Sequence, residues 1–149
     1  MPNKSADIAE CLETGQVCAC GNLRKATRAV TQLYDKVLRP SGIRVTQLGL
    51  MVATRVQGPV TVKHLAETTV TDRTTLTRNL RPLEKQGLIR IEPGEDRRER
   101  IVTLTNRGQK ALLSALPLWK KAQVQIAKGL GQRRFNRLLS DLSAMVALT

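Results

Sequence analysis

Residues 70–105 carry two successive patterns, and together they constrain the fold more than any other part of the chain. In the first pattern, leucine recurs at the three- and four-residue spacing of one helix face, and the intervening positions are mostly threonine and arginine. These leucines are Leu76, Leu80 and Leu83. In the second pattern, two β-prone runs, 88–92 and 100–104, flank a turn at Pro93 and a charged D-R-R-E-R loop. The segment therefore predicts an amphipathic helix over 72–86, followed by an antiparallel β-hairpin.

A shorter helix is expected directly before the amphipathic one. It begins at Thr61, a residue type that caps helices, and it turns Leu65 and Ala66 inward. A turn over 68–71 then separates the two helices. Helix, tight turn and helix form a helix-turn-helix, in which the second helix is the element that reads DNA.

The remaining segments are also predicted to be helical, so we expect a mainly α fold. One helix covers 17–38 and stops at an R-P-S-G turn, and the next, which Thr46 can cap, stops at Gly58 and Pro59. The apolar positions of the second of these are Leu48, Met51, Val52 and Val56. Thr105 can cap a long helix that a G-L-G run breaks, and a last helix follows. The predicted architecture is a winged helix-turn-helix with a two-stranded β-hairpin as its wing.

The helices at both ends of the chain are predicted to mediate dimerisation. They carry more Leu, Val and Ala than a small central lobe can cover, and such a surplus favours pairing with a second copy of the chain. The alternative is that these helices pack only on each other. We expect one domain over 1–149, in which 1–39 and 106–149 are dimerisation helices and 45–105 is the winged-helix lobe that binds DNA.

Charge and composition favour a duplex nucleic acid as the partner. Lys and Arg number 25 against 12 Asp and Glu, a formal net charge of +13, and a chain this basic commonly binds a polyanion. Only one Phe, one Trp and one Tyr are present, whereas proteins that bind single strands or RNA normally use aromatic side chains for stacking. Double-stranded DNA is therefore the expected partner.

Other classes of protein are disfavoured. No stretch has the roughly 18–20 apolar residues of a membrane span, so no membrane partner is expected. The first residues lack the apolar core of a signal peptide, and an odd number of cysteines does not suit a disulfide scaffold. These features predict a cytoplasmic location. With a single histidine, no nucleophile–base pattern and no phosphate-binding glycine loop, the sequence indicates neither an enzyme nor a bound cofactor.

Five segments, in this order and spacing, resemble the MarR family of bacterial winged-helix regulators. They are T-V-K-H-L-A-E (61–67), D-R-T-T-L-T-R-N-L (72–80), L-E-K-Q-G-L-I (83–89), D-R-R (96–98) and V-T-L-T-N-R-G (102–108). The likeness in helix layout extends over nearly the whole chain. It implies a triangular homodimer joined through its N- and C-terminal helices, with each subunit presenting a winged helix to one half of a near-palindromic operator. It also implies, for most members, a repressor that releases DNA when a small ligand binds or a cysteine is oxidised.

The polar face of the helix over 72–86 provides candidate DNA contacts. Arginine suits guanine because its guanidinium donates two hydrogen bonds to O6 and N7, and threonine can bind a phosphate or contact a thymine methyl group. We expect base contacts from Arg73, Thr74, Thr77 and Arg78, and contacts to the DNA backbone from Thr75 and Arg81. Pro82 lies inside this helix and is expected to bend it near 78–81, which affects Arg81 most.

The charged loop of the hairpin provides a second set of candidate contacts. By the resemblance, Arg98 corresponds to the family's minor-groove arginine, and Asp96 to the carboxylate that orients it. A narrow A·T-rich minor groove concentrates negative potential, which suits an arginine on a thin hairpin. Arg97 and Arg100 are expected to add phosphate contacts.

All three cysteines, Cys11, Cys18 and Cys20, lie near the N-terminus and are candidate sensing residues. By the resemblance, Cys20 lies where the organic-hydroperoxide-sensing branch keeps its reactive cysteine, although that branch also uses tyrosines and this chain has one. A helix N-terminus, Arg24 and Lys25 would favour its thiolate. Oxidation would then give a sulfenate or a disulfide, with a Cys18–Cys20 ring disfavoured by geometry. Alternatively, the three thiolates hold a thiophilic metal or metalloid, or they pack as small apolar side chains.

Two further alternatives concern the function itself. The signal could be an aromatic or acidic small ligand, bound in a cleft between the dimerisation helices and the winged-helix lobe. The protein could also be an architectural nucleic-acid binder without sequence preference. A ratio of specific to non-specific affinity near one would favour that second alternative.

Overall fold

A computed structural model describes residues 4–149, which form seven α-helices, a short 3-10 turn and three strands. The helices are α1 (Lys4–Val17), α2 (Ala19–Leu38), α3 (Val45–Gln57), α4 (Val62–Thr68), α5 (Arg73–Lys85), α6 (Asn106–Leu130) and α7 (Gln132–Val146), with the 3-10 turn at Arg39–Ser41. The strands are β1 (Val60–Thr61), β2 (Ile89–Pro93) and β3 (Arg100–Leu104). Within these residues, no helix is both long enough and apolar enough to cross a membrane.

The chain divides into two compact units, Met1–Leu33 and Tyr34–Thr149, and the division falls inside α2. The first unit contains α1 and the greater part of α2. The second contains the end of α2 and all later elements, including the helix-turn-helix and the hairpin. The expected boundaries of the dimerisation helices and the winged-helix lobe stay a prediction, and residues 1–3 of the segment 1–39 lie outside the described residues.

The sheet is antiparallel, with the strand order β1-β3-β2. In the hairpin, Ile89 lies opposite Leu104 and Ile91 lies opposite Val102, which confirms the predicted strands. The prediction of two strands was incomplete, because Val60 of β1 also pairs with Val102 on the other edge of β3. A two-residue strand has no alternating pattern of its own, so only its pairing reveals it.

The core of the second unit lies between the helix-turn-helix, the sheet and the helices on either side of them. Its fully covered side chains come from several elements: Leu38, Met51, Leu65, Leu76, Leu80, Leu83 and Val102 each have 0% exposure. The three leucines of α5 are all in this set, as the helical spacing predicts. Burial of a leucine side chain contributes roughly 1.5–3 kcal/mol, so this face of α5 fixes the helix on the core. The mainly α, winged helix-turn-helix class is confirmed.

Two of the predicted helix caps are confirmed, and one is not. Thr61 and Thr105 each accept a hydrogen bond from the backbone N–H three residues later, both at 3.0 Å. The prediction that Thr46 caps α3 was wrong. Arg44 occupies the N-cap position, and its N–H donates to Gln47 Oε1 at 3.0 Å. Asp35 Oδ1 accepts the next N–H along the chain, that of Val45, at 2.8 Å. This contact depends on the end of α2 packing nearby.

Two further sequence predictions need correction. The first helix was expected to begin at Val17, but α1 already covers Lys4–Val17 and α2 starts after a single intervening residue, Cys18. The apolar face predicted for α3 is also only partly buried. Leu48 and Met51 are buried, but Val56 at the end of this helix is 79% exposed, because the helical turn places it away from the face that Leu48, Met51 and Thr54 bury.

Candidate nucleic-acid interface

The turn between α4 and α5 is fixed by hydrogen bonds at both of its ends. Thr69 Oγ1 donates to the carbonyl of Leu65 at 2.7 Å, and the N–H of Thr71 donates to the carbonyl of Ala66 at 2.9 Å. At the start of α5, Asp72 Oδ1 accepts the N–H of Thr75 at 2.8 Å. The helix-turn-helix therefore holds the first turn of α5 in a defined position on the surface.

The cap at Asp72 also changes the acidity of its carboxyl group. Hydrogen bonds from Thr75 stabilise the ionised form, which lowers the pKa of Asp72 below its ordinary value. The carboxylate therefore stays charged at the positive end of the helix dipole, where a negative charge is favoured.

The outward face of α5 brings together most of the residues predicted to contact DNA. They line a shallow depression of about 360 Å³: Arg73, Thr74, Thr77, Arg78 and Arg81. Thr77 Oγ1 donates to the carbonyl of Arg73 at 2.8 Å, which fixes the orientation of its side chain. Thr75 lies apart from this depression and is half-buried. The predicted base contacts are thus neighbours, and Arg81 lies with them rather than apart from them.

Pro82 does not end this helix. The assigned helix runs from Arg73 through Pro82 to Lys85, and the carbonyl of Pro82 accepts the N–H of Gln86 at 3.0 Å. Inside a helix, proline removes its own N–H donor, and its ring crowds the carbonyl four residues earlier, here that of Arg78. The helix nevertheless continues through Pro82, the bend expected near 78–81 stays a prediction, and Arg81 shares its depression with Arg78.

A second depression, of about 350 Å³, adjoins the start of α5 and adds residues that the sequence reading missed. Lys63 and Val70 line it together with Arg73. Lys63 belongs to α4, and its closeness to Arg73 depends on how the two helices cross. Val70 was read only as part of the turn. No local pattern in the sequence distinguishes either residue as part of a surface next to α5.

The hairpin loop presents its charged residues to solvent. Arg97, Arg98 and Arg100 are all exposed, in keeping with the predicted contacts to DNA. Asp96 Oδ1 accepts the backbone N–H of Arg98 at 3.0 Å, and the orientation of the Arg98 side chain by Asp96 stays a prediction. The N–H of Glu99 also donates to the carbonyl of Asp96, at 2.9 Å. Asp96 therefore shapes the backbone of the loop that carries Arg98.

The hairpin is joined closely to its neighbours. Thr105 Oγ1 donates to the carbonyl of Gly87 at 2.6 Å, and the N–H of Thr105 donates to the carbonyl of Leu88 at 3.1 Å. These bonds connect the end of β3 with the segment between α5 and β2. The hairpin and the segment that follows α5 are consequently held together by hydrogen bonds from Thr105.

The three cysteines lie on different parts of the first unit, and all are free thiols. Cys11, in α1, is exposed, whereas Cys18 is half-buried before α2 and its Sγ accepts the N–H of Gly21 at 3.4 Å. The sulfur at the start of α2 is thus that of Cys18. Cys20 is exposed and lines a depression of about 480 Å³ with Leu23, Arg24, Thr27 and Arg28. Across residues 4–149, no three His, Cys, Asp or Glu side chains are grouped closely enough to hold a metal ion.

Residues 41–99 match the sequence model of the MarR family. Over 88 residues the chain is 28% identical to the uncharacterized HTH-type transcriptional regulator YwoH of Bacillus subtilis, a match that covers 59% of this chain and 64% of that protein.

Two solved structures are similar over most of their length. The transcriptional regulator MosR of M. tuberculosis, in complex with DNA, is 36% identical with a TM-score of 0.77, and the match covers 88% of this chain and 97% of that one. A mutant of MarR from E. coli, complexed with operator DNA, has a TM-score of 0.78 at 21% identity, with 89% and 96% of the two chains covered. At that lower identity the likeness is one of fold.

Proposed function

We propose that this chain, which belongs to the MarR family of transcriptional regulators, binds operator DNA as a homodimer and represses transcription until a signal releases it. The observation that carries the proposal is the division of α5 into two faces. Its leucines are fully buried, while two threonines and three arginines share one exposed surface. MosR, the 36% identical relative, was solved in complex with DNA, which supports the same partner here.

The exposed face of α5 suits the major groove of B-DNA. An α-helix fits the width of this groove, and arginine can donate two hydrogen bonds to one guanine. Arg73 and Arg78 lie five residues apart on the same depression, so they would address different base pairs. The wing arginines, Arg97, Arg98 and Arg100, would contact the backbone and the adjacent minor groove.

Apolar side chains left uncovered at both ends of the chain support a homodimer. In α1, Ile8 and Leu12 are 61% and 62% exposed, and they are four residues apart, on one helix face. In α7, the exposed apolar residues are Leu138, Leu139, Met145 and Val146. Monomeric proteins rarely leave such apolar faces in water. A second copy of the chain would cover them and would also present a second reading helix to the other half of a near-palindromic operator.

The test begins with duplex DNA selected by the protein from a random pool, and with DNA upstream of its own gene. We expect selection of a near-palindromic sequence, bound far more tightly than a scrambled duplex. Arg78→Ala should weaken binding by about 1–3 kcal/mol and relax the preference at one position of each half-site. Arg133→Ala is the matched control, since Arg133 is an exposed arginine on α7. Equal affinity for selected and scrambled DNA would instead indicate an architectural binder.

The signal that we favour is oxidation of the N-terminal thiols. Cys20 is exposed and lines a surface depression with Arg24 and Arg28, so an oxidant in solution can reach its sulfur. Reaction with a hydroperoxide would transfer one oxygen to sulfur, forming a sulfenic acid and releasing an alcohol. A second thiol, Cys11 or one from the partner subunit, would then attack the sulfenic sulfur, forming a disulfide and releasing water.

Operator binding before and after treatment with an organic hydroperoxide tests this signal, with Cys20→Ser and Cys18→Ser measured alongside. We expect the oxidant to release wild-type protein from DNA, a thiol reductant to restore binding, and Cys20→Ser to ignore both. Specific binding that is indifferent to oxidant would direct the search to thiophilic metals or to aromatic and acidic small ligands. A reporter gene placed behind the operator would show whether the DNA-bound form represses.

A further inference from the structure

Helix α4 ends in a hydrogen-bonding pattern that normally requires glycine. The N–H of Thr71 donates to the carbonyl of Ala66 at 2.9 Å, and the N–H of Val70 donates to the carbonyl of Glu67 at 3.2 Å. These two bonds define a Schellman motif, whose residue at the position of Val70 adopts the left-handed conformation. Val70 does so, with φ of 50°.

The chain uses the same motif again at the end of α5, where the corresponding residue is glycine. There the N–H of Leu88 donates to the carbonyl of Leu83 and the N–H of Gly87 donates to that of Glu84, both at 2.9 Å. Gly87 has φ of 71°. Within residues 4–149, Val70 is the only residue other than glycine with a positive φ.

Valine is an unfavourable choice for this backbone conformation. Its branched Cβ crowds the backbone at positive φ, and such outliers cluster at functional sites. Packing inside the fold does not explain the choice, because Val70 is 66% exposed. The side chain therefore points to a contact outside the chain.

The position of Val70 indicates what that contact is. It lies two residues before Asp72, the N-cap of α5, and it lines one depression with Lys63 and Arg73. In a helix-turn-helix the N-terminal residues of the second helix meet the base edges. The edges of the major groove offer one apolar group to a valine, the 5-methyl group of thymine.

We propose that Val70 is a specificity-determining residue, whose exposed isopropyl group contacts the 5-methyl group of a thymine in each half of the operator. This inference rests on the proposed DNA-binding function. It assigns the turn before α5 an apolar contact, beside the polar contacts expected from Arg73 and the face of α5 that follows it.

The test uses the duplex that wild-type protein selects from a random pool, with each thymine replaced in turn by deoxyuridine, which lacks only the 5-methyl group. Removal of the contacted methyl group should weaken binding of wild-type protein by about fourfold per half-site. Val70→Asn should bind both duplexes equally, because asparagine tolerates the left-handed conformation but has no apolar group. Val56→Asn, the same change at a valine that is 79% exposed on α3, should keep the wild-type response.

Thermal unfolding of the same variants completes the experiment. Val70→Asn should unfold at the same temperature as wild type or at a higher one, because asparagine relieves the backbone strain. A lower unfolding temperature would mean that the valine stabilises the fold, and it would overturn the inference. Wild-type protein could select a sequence and yet lose no more affinity than Val70→Asn at any deoxyuridine replacement. In that case the inference fails while the proposed function stands. If wild-type protein selects no sequence, the proposed function fails and this inference with it.

Discussion

At Gly108, the absence of a side chain lets the first turn of α6 approach the hairpin. A Cβ atom at this position would overlap the carbonyl oxygen of Leu88 and would lie 2.9 Å from Leu104 Cδ1. The same carbonyl accepts the N–H of Thr105. Backbone atoms cannot move aside as a flexible side chain can, so this close approach requires glycine.

Gly108→Ala should therefore destabilise the protein by about 1–3 kcal/mol, the usual cost of forcing extra volume into a packed site. Gly49→Ala is the matched control, because a Cβ at Gly49 would meet nothing within 4 Å. It lies inside α3, so it should raise stability by about 0.5–1 kcal/mol. Urea unfolding measures both values, and equal effects of the two substitutions would contradict the close approach.

Asp72 should make stability depend on pH in the acid range. Its pKa is lowered in the folded chain by the hydrogen bonds from Thr75, so its contribution is fully present above the unfolded pKa. That contribution is lost as the pH falls through the folded pKa. Asp72→Ala should lower the urea midpoint at pH 7, and the difference from wild type should shrink on acidification. Asp72→Asn keeps an N-cap acceptor without this titration and should show a smaller loss at pH 7.

At the scale of elements, α5 and the hairpin are fixed together but expose different chemistry. The helix presents arginine and threonine on one surface, whereas the loop 95–100 contains three acidic and three basic residues. The loop therefore carries little net charge, and individual arginines must account for any contact with DNA. Asp96 holds the backbone at Arg98, which singles out that arginine.

Arg98→Ala should weaken operator binding and reduce the salt dependence by about one unit in the slope of log affinity against log salt. The physical reason is the loss of one cation, and with it the release of about one counterion from DNA. Binding measured by fluorescence anisotropy over a range of salt concentrations gives the slope. Arg133→Ala on α7 should leave the slope unchanged, and an unchanged slope in Arg98→Ala would exclude Arg98 from the interface.

At the scale of the whole molecule, the apolar residues of α7 lead to a prediction about assembly. Phe135 is buried, but Leu139, one helical turn further on, is 45% exposed. Leu139→Glu should shift the protein towards monomer, because a charged side chain opposes burial in an apolar interface. It should also weaken operator binding, since two linked reading helices bind more tightly than one.

Analytical ultracentrifugation measures the first effect, and binding to the selected duplex measures the second. Val56→Glu is the control, since Val56 is exposed on α3, outside the predicted dimerisation helices. A dimer that survives Leu139→Glu would place the contact between subunits elsewhere.

Much of the fold could be read from the sequence because its signals act over short distances. Thr61 and Thr105 bond a backbone N–H three residues away, and so does Asp72. The leucine spacing of α5 likewise reports one face of one helix. The candidate DNA surface followed from that spacing, because the residues opposite the buried leucines are exposed by the same geometry.

The features that join distant parts of the chain depend on tertiary contacts, which local sequence patterns do not report. Strand β1 exists because Val60 meets Val102, and Lys63 joins the surface of Arg73 because α4 and α5 cross. Threonine often caps helices, but Arg44 rather than Thr46 occupies the N-cap position of α3. The carboxylate of Asp35 accepts the N–H of Val45, the next donor along the chain. Val70 is an ordinary valine in the sequence, and its left-handed backbone follows from how α4 ends. Caps and helix faces are local properties of the chain, whereas pairing, close approach and backbone strain depend on which segments the fold brings together.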